Sequence, residues 1–334
     1  MERVKLKLLS LIEQGKTYNE ILTAMGMDSL EFSRLLWSVK AWLNYYKEYY
    51  ADGSMKILLP KSIEEANNIA KRNTRIITTP EETNIKLLVL SDLHIGCTKS
   101  QRLDLFEQVF NHTDKEKIHI ILNCGDILDG PLENSARQRN EHMDNIYDQI
   151  DTFLNNYPQI DNVLTFAVLG NHEEIIQSKY DINIADIIEQ NRQDIVVSRQ
   201  PSFTIDIKND SINLRHMRPK GWSTISTPVP NDVSRVNVLG HAHKLLINYR
   251  ADVNDRPYNH LTVQVPALFD KNAGMVQINL HFDKGYIQDT DVQVFDFKHK
   301  PTIFSFSGFT NPEDMDSVIK NEKNGGVQKK ISLK

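Results

Sequence analysis

The chain has 334 residues, a formal net charge of −5, 40% hydrophobic residues and two cysteines. These values exclude a collagen-like chain, a disulfide scaffold and an acidic disordered tail. No apolar run approaches the ~18 residues of a membrane span. The first residues, Met1-Glu2-Arg3-Val4-Lys5-Leu6-Lys7, carry charge where a signal peptide has its apolar core. A soluble, cytoplasmic protein with no membrane partner is expected, and the length suggests two domains. Charge is uneven: residues 1–80 carry twelve Lys/Arg and nine Asp/Glu, +3, which leaves −8 for residues 81–334. That asymmetry suggests a separate task for the N-terminal part.

In chain order, residues 4–13 are Leu-rich and stop at Gly15, which predicts a first helix. Thr17-Tyr18-Asn19-Glu20 fits a capping box, with Gly26 as the glycine that ends the helix. Asp28-Ser29-Leu30-Glu31 offers a second capping start, for a helix carrying Leu30, Leu35, Leu36, Val39 and Trp42 toward Tyr46. Asp52-Gly53 then separates two strand-like runs, and this pair predicts a hairpin turn in which both residues need positive φ. Three helices and a hairpin resemble a winged helix-turn-helix domain over residues 1–60. Such a module binds DNA; the alternative is a trihelical unit for protein contacts or dimerisation. The third helix carries only the cations Arg34 and Lys40, few for a recognition helix.

Residues 61–83 are polar, with Pro60 and Pro80 as punctuation, and are expected to form a helix-containing linker. From Ile85 apolar runs alternate with helical stretches, with strands expected at Ile85–Leu90, Ile118–Leu122 and Val163–Leu169. This βαβα pattern predicts an α/β sheet. Beyond Asp194 eight further strands are expected, from Ile195–Ser198 to Val292–Phe297. A second domain over residues 84–305 and a loosely held polar tail over 306–334 follow.

Each early strand ends in metal-binding residue types. The blocks are Ser91-Asp92-Leu93-His94-Ile95-Gly96, Asn123-Cys124-Gly125-Asp126-Ile127-Leu128-Asp129-Gly130, Gly170-Asn171-His172-Glu173, Leu214-Arg215-His216 and Gly240-His241-Ala242-His243. In an open α/β sheet, ligands bind outside the carboxyl ends of the strands. Residues i and i+2 of an extended chain point to one side, so Asp92/His94 and His241/His243 are each expected to aim two side chains at one site. Mixed Asp and His donors suit Mn²⁺, Fe²⁺ or Zn²⁺. Two such ions about 3.5–4 Å apart need a shared carboxylate and activate water for in-line attack on phosphorus.

The five blocks, in order across residues 85–243, resemble the pattern D-x-H, G-D-x-x-D, G-N-H-[DE], a lone His and G-H-x-H of the calcineurin-like metallophosphoesterases. The resemblance implies an α/β fold, a four-layer α/β/β/α sandwich with a small N-terminal α-helical domain. It implies two divalent metals, Mn²⁺ first, with Fe²⁺, Zn²⁺ or Mg²⁺ as alternatives. Asp92, His94 and His243 would hold one metal, Asn171, His216 and His241 the other, and Asp126 would bridge. His172 would stabilise phosphorane charge or protonate the leaving oxygen, and Asp129 would orient His172. The remaining six histidines (His112, His119, His142, His260, His281 and His299) are expected to be ordinary core or surface residues. Cys97 and Cys124 are expected to be reduced, partly buried thiols.

Departures from the pattern bear on substrate. Gly130 stands where protein Ser/Thr phosphatases carry a phosphate-clamping Arg, and Asp129 where double-strand-break exonucleases carry a His. The first two blocks are similar to the exonuclease subunit of archaeal replicative polymerase and to phage and bacterial phosphoesterases. The expected function is a two-metal phosphodiesterase or nuclease with nucleic acid, DNA first, as partner. Arg137, Arg139, Arg218 and Lys220 are candidate cleft cations, yet the acidic catalytic part lacks the Lys/Arg surplus that phosphate contacts need. The alternatives are a phosphatase or diesterase of nucleotides or small molecules, and an inert-domain DNA-binding scaffold; the intact ligand set argues against the last.

Overall fold

The computed structural model describes residues 2–69, 74–97, 100–131, 143, 145–216, 234–250, 260–269, 273–307 and 309. It begins with helices α1 (Glu2–Glu13), α2 (Tyr18–Met25) and α3 (Ser29–Leu43). Both expected capping boxes form. Glu20 Oε2 accepts from Thr17 N at 2.8 Å, and Asp28 Oδ1 accepts from Glu31 N at 2.8 Å. The hairpin β1 (Tyr46–Tyr50) and β2 (Met55–Leu58) follows, then α4 (Ile63–Ile69) and β3 (Thr74–Ile77). The turn differs from the expected one. Only Gly53 has positive φ, +76°, within the loop 51–54, where Asp52 Oδ1 accepts from Ser54 N at 2.9 Å. A hairpin loop longer than two residues needs one left-handed residue rather than two. The glycine is also required by packing: a Cβ there would stand 1.5 Å from the carbonyl oxygen of Asn162.

The remaining elements are β4 (Asn84–Leu90), α5 (Leu105–Glu116), β5 (Ile120–Asn123), α6 (Ile146–Asn156), β6 (Leu164–Ala167), α7 (Asn171–Tyr180), α8 (Ile184–Asn191), β7 (Ile195–Val197), β8 (Ser202–Ile207), β9 (Asp210–Arg215), β10 (Val236–Leu239), β11 (Leu246–Arg250), β12 (His260–Gln264), β13 (Met275–Asp283), β14 (Tyr286–Phe295) and β15 (Thr302–Ser307). They form a seven-stranded sheet, β15-β14-β13-β4-β5-β6-β7, and an eight-stranded sheet, β11-β12-β10-β9-β8-β3-β1-β2. Alternation along β4 explains the layering. Leu87 and Val89 face the second sheet, whereas Leu88 and Leu90 face the helices. Between the sheets, these residues meet Ile212, Leu214, Val236 and Val238. On the outer face, Val109, Ile150, Phe153, Ile176 and Ile188 of α5–α8 close a second core. The expected α/β sandwich of two facing sheets is therefore present. Among the described residues no helix is long and apolar enough to cross a membrane.

The stretch 61–83 is not simply a linker. Its β3 pairs in parallel with β1 (Tyr49↔Ile76) and with β8 (Ile76↔Ile207), and so welds the hairpin onto the eight-stranded sheet. Helices α1–α3 pack beneath this extension. Leu8, Ile21, Phe32 and Leu36 share a core with Tyr49, whose ring meets Phe166 edge-on at 5.3 Å. Helix α3 packs on α8, and Asn19 and Ser29 hydrogen-bond Asn162 and Gln159 at 3.0 and 2.9 Å. The strand escapes sequence reading because Thr74-Arg75-Ile76-Ile77 buries one side chain, Ile76, and its partners lie far along the chain. The expected end at residue 305 is also displaced: β15 runs to Ser307, and Phe309 is buried. Residues 310–334, the expected tail, lie outside the described residues.

Candidate metal centre

Strands β4, β5, β6, β9 and β10 all deliver their motif residues at one edge of the sandwich. Asp92 and His94 follow β4, Asp126 and Asp129 follow β5, and Asn171 and His172 open α7 after β6. His216 follows β9, and His241 and His243 follow β10. All seven expected ligands converge. Donor atoms of Asp92, His94 and His243 lie within 4.8 Å of one another, as do those of Asp126, His216 and His241. Asn171 Oδ1 stands 3.1 Å from His216 Nε2 and joins the second group.

The convergence is not made by an extended chain. Asp92, His94, Asp126, His241 and His243 have φ of +52°, +45°, +50°, +70° and +53°. Each left-handed residue costs roughly 1–2 kcal/mol, and Asp and His tolerate it better than most. Strain of this kind concentrates where surrounding structure over-determines a site. Gly170 serves close approach instead, since a Cβ there would lie 2.0 Å from Asp126 Oδ1.

Asp126 occupies the middle. Its Oδ2 is 3.1 Å from His216 Nε2, 3.8 Å from His172 Nε2 and 3.9 Å from His94 Nε2. Ring nitrogens face each other in pairs, His94 Nε2 and His243 Nε2 at 3.2 Å and His216 Nε2 and His241 Nδ1 at 3.1 Å. The buried Asp92 Oδ1 makes no well-formed hydrogen bond and lies 3.2 Å from His243 Nε2. Lone pairs aimed at common points, with an orphaned carboxylate oxygen, fit two divalent cations sharing Asp126. The ring atoms behind them are fastened. His216 Nδ1 lies 2.7 Å from the Cys124 carbonyl, and His94 Nδ1 3.3 Å from Asp129 Oδ1. Each contact leaves Nε2 free as a ligand.

Asp129 therefore acts differently from what the resemblance implied. Its carboxylate backs His94, while its main-chain carbonyl receives His172 Nδ1 at 2.5 Å. The outward Nε2 of His172 then faces Asp126. Asp92 and Asp126 are buried, whereas the His172 and His243 side chains are 23% and 40% exposed, so the site opens on one face. Arg137, Arg139, Arg218 and Lys220 lie outside the described residues, as does His142. The other ordinary histidines are held by neighbours, for example His112 by Gln277 at 2.7 Å. Both thiols are fully buried rather than partly so.

Three residues without an expected role hold the site. Glu173 Oε1 accepts from Leu128 N and Oε2 from Gly170 N, both at 2.7 Å, so one carboxylate joins two motif loops. Gln149 clasps Gly130 through N and O, at 3.0 and 2.9 Å. A polar residue on the apolar face of α6, between Ile146 and Phe153, was the legible signal. Phe269 packs against the His94 and His243 rings at 4.9 and 6.0 Å, and nothing in the sequence marked it.

The electrostatics follow from this packing. Burial pulls His94 and His241 down, which keeps them neutral. Burial also disfavours a charged His216, but Asp126 beside it prevails and lifts it to about 9, while Asp126 falls well below the carboxylate range. In the metal-free protein the stability that an ionised Asp126 lends to a charged His216 is full below about pH 6.5 and is lost as pH rises through about 9. A metal ligand needs that nitrogen unprotonated. Mn²⁺ binding is therefore expected to release a proton near neutral pH and to tighten as pH rises. Calorimetry in buffers of different ionisation enthalpy reads this directly; a pH-independent affinity with no proton release contradicts it.

The family model of the calcineurin-like phosphoesterases matches residues 85–268, more than half of the chain. The chain belongs to this family, and its chemistry is metal-dependent phosphoester hydrolysis at a dinuclear site. No curated protein matches it. Similar solved structures include a dimetal phosphatase from Danio rerio, with TM-score 0.39 and 10% identity over 66% of this chain and 99% of that one. A Thermotoga maritima protein has TM-score 0.32 and 13% identity, over 66% and 99%. GAP50, the anchor in the inner membrane complex of Plasmodium, has TM-score 0.33 and 10% identity, over 69% and 90%. At these values the likenesses carry no argument of their own.

Proposed function

We propose that the protein is a two-metal phosphodiesterase that cleaves nucleic acid, DNA first, with Mn²⁺ as its working metal. The observation that carries this reading is the joining of the N-terminal unit to the catalytic sheet through β3. Strand β8 runs antiparallel to β9, and β3 and β1 run parallel to β8. The start of β1 therefore faces the same edge as His216 and the β10 histidines. A helical unit held rigidly beside the metal edge suits a long substrate better than a small one. Gly130, in place of a phosphate-clamping Arg, supports a diester over a phosphoprotein.

Asp92, His94 and His243 would hold one ion, and Asn171, His216 and His241 the other, with Asp126 between. When bound, the ions supply Lewis acidity and lower the pKa of water. Asp126 and Asp92 hold negative charge at the buried floor. Asp129 fixes His172 Nδ1, so that Nε2–H of the imidazolium donates its proton to the leaving oxygen. His172→Ala is expected to lower kcat about 10²–10⁴-fold while metal content, read by mass spectrometry, stays at the wild-type level. Unchanged turnover contradicts the assignment.

The acidic balance of residues 81–334 favours the second reading, a diesterase of nucleotides or small molecules. A panel with Mn²⁺, single- and double-stranded DNA, p-nitrophenyl phosphate and its bis ester separates the two. Cleavage of DNA supports the first; hydrolysis of the bis ester with every DNA left intact rejects it.

A further inference from the structure

A second cavity, of about 220 Å³, opens where α3 and β1 meet α8 and the segment after β7. It exceeds the roughly 150 Å³ that accepts a benzene ring. Four aromatic side chains, Trp37, Tyr45, Tyr46 and Tyr49, line it together with three cations, Lys40, Lys47 and Arg199. The only carboxylate in the lining is Glu189, which is already engaged: Oε2 accepts from Arg199 at 2.7 Å and Oε1 from Val197 N at 3.0 Å. Lys47 forms no ion pair among the described residues, and burial pulls its ammonium down to about 8, with Glu189 and Lys40 acting in opposite senses. Lys40 lies over the Trp37 ring at 4.7 Å. Gln193, 2% exposed, lines the cavity with its Oε1 unpaired. Two surplus cations, stacking rings and an idle buried acceptor form a site for an anionic ligand with a flat polar ring.

We infer that this cavity binds a base and its phosphate in a single DNA strand whose scissile phosphate lies at the metal centre, an inference that rests on the nucleic-acid reading above. The topology supports it. The cavity lies at the start of β1 and just beyond the end of β7, at the sheet edge where β6 and β9 deliver metal ligands. From β9 to β1 there are three strand steps, about 14 Å at ~4.8 Å each. A strand that keeps the duplex rise of ~3.4 Å per nucleotide covers that span in about four nucleotides, and an extended single strand in fewer. Stacking on aromatic side chains between cations is the usual mode of single-strand binding.

The test is fluorescence anisotropy of fluorescein-labelled dT12 with Mn²⁺ withheld, and cleavage of dT3 to dT12 with Mn²⁺ present, for wild type, Lys40→Glu and the pair Trp37→Ala/Lys47→Ala. Lys40 is exposed, so Lys40→Glu tests the site even if the double variant fails to fold, as read by thermal unfolding. The expected result is a dissociation constant about tenfold higher or more for dT12 and a smaller salt slope. KM should rise for dT12 but not for dT3, with kcat held. Wild-type cleavage of dT12 with no change in binding or KM in either folded variant overturns the cavity assignment and leaves the nuclease reading intact. Wild-type protein that hydrolyses bis-p-nitrophenyl phosphate but neither binds nor cleaves dT12 overturns both.

Discussion

Asp126→Asn is expected to abolish turnover and to leave the protein unable to hold two metal ions. Its Oδ2 lies within 3.9 Å of ring nitrogens in both halves of the site, His94 and His216, and of His172. Asn keeps the shape and the acceptor for His172 N–H, at 3.1 Å, so the fold should survive. What is lost is the negative charge that a shared position between two cations requires. A loss of several kcal/mol of charge stabilisation corresponds to at least about 10³-fold in kcat. His216 also loses the charge that lifts it, so the metal-free variant should unfold more readily at neutral pH than the wild type. Metal stoichiometry, turnover of bis-p-nitrophenyl phosphate and thermal unfolding measure the three consequences. Two tightly held ions with turnover within tenfold of wild type contradict the shared role.

Glu173→Ala is expected to cost substantial stability although Glu173 is not itself a ligand. The substitution strands the amides of Leu128 and Gly170 in a buried loop pair, each at about 1–3 kcal/mol. The native carboxylate also carries a cost. Burial and then the charge of Asp126 push it up to about 7, despite both amide hydrogen bonds. A carboxylate with a raised folded pKa contributes fully below about 4.5 and loses that contribution as pH rises through about 7. For the metal-free protein the wild type should exceed the variant by about 3 kcal/mol near pH 5, with the gap narrowing toward pH 8. Urea unfolding at both pH values reads this. A variant within about 1 kcal/mol of wild type near pH 5 contradicts the clamp role.

The site was legible where the signal is local. A buried strand followed by Gly, Asp and His needs few residues to announce itself, and all five blocks meet at one edge. Their backbone was not legible. Asp92 and His94 share a site through left-handed turns rather than by extended alternation. Asp129 holds His172 as expected but through its carbonyl, because carboxylate and carbonyl of one residue serve two histidines, a distinction that no spacing encodes. Glu173 stood in view as the third helical residue of its block, but its contact with Leu128 crosses 45 positions.

The sequence by itself determined the donor types, their order, the helix caps at Thr17 and Asp28 and the alternation that buries both faces of β4. These follow from chemistry and geometry within a few residues. Only the tertiary structure decided that the N-terminal unit is part of the catalytic sandwich. Strand β3 commits a single buried side chain, and its value lies in backbone pairing with β1 and β8, one upstream and one far downstream. Backbone hydrogen bonds carry no side-chain signature, so such pairing is absent from the pattern of residues and present only in space.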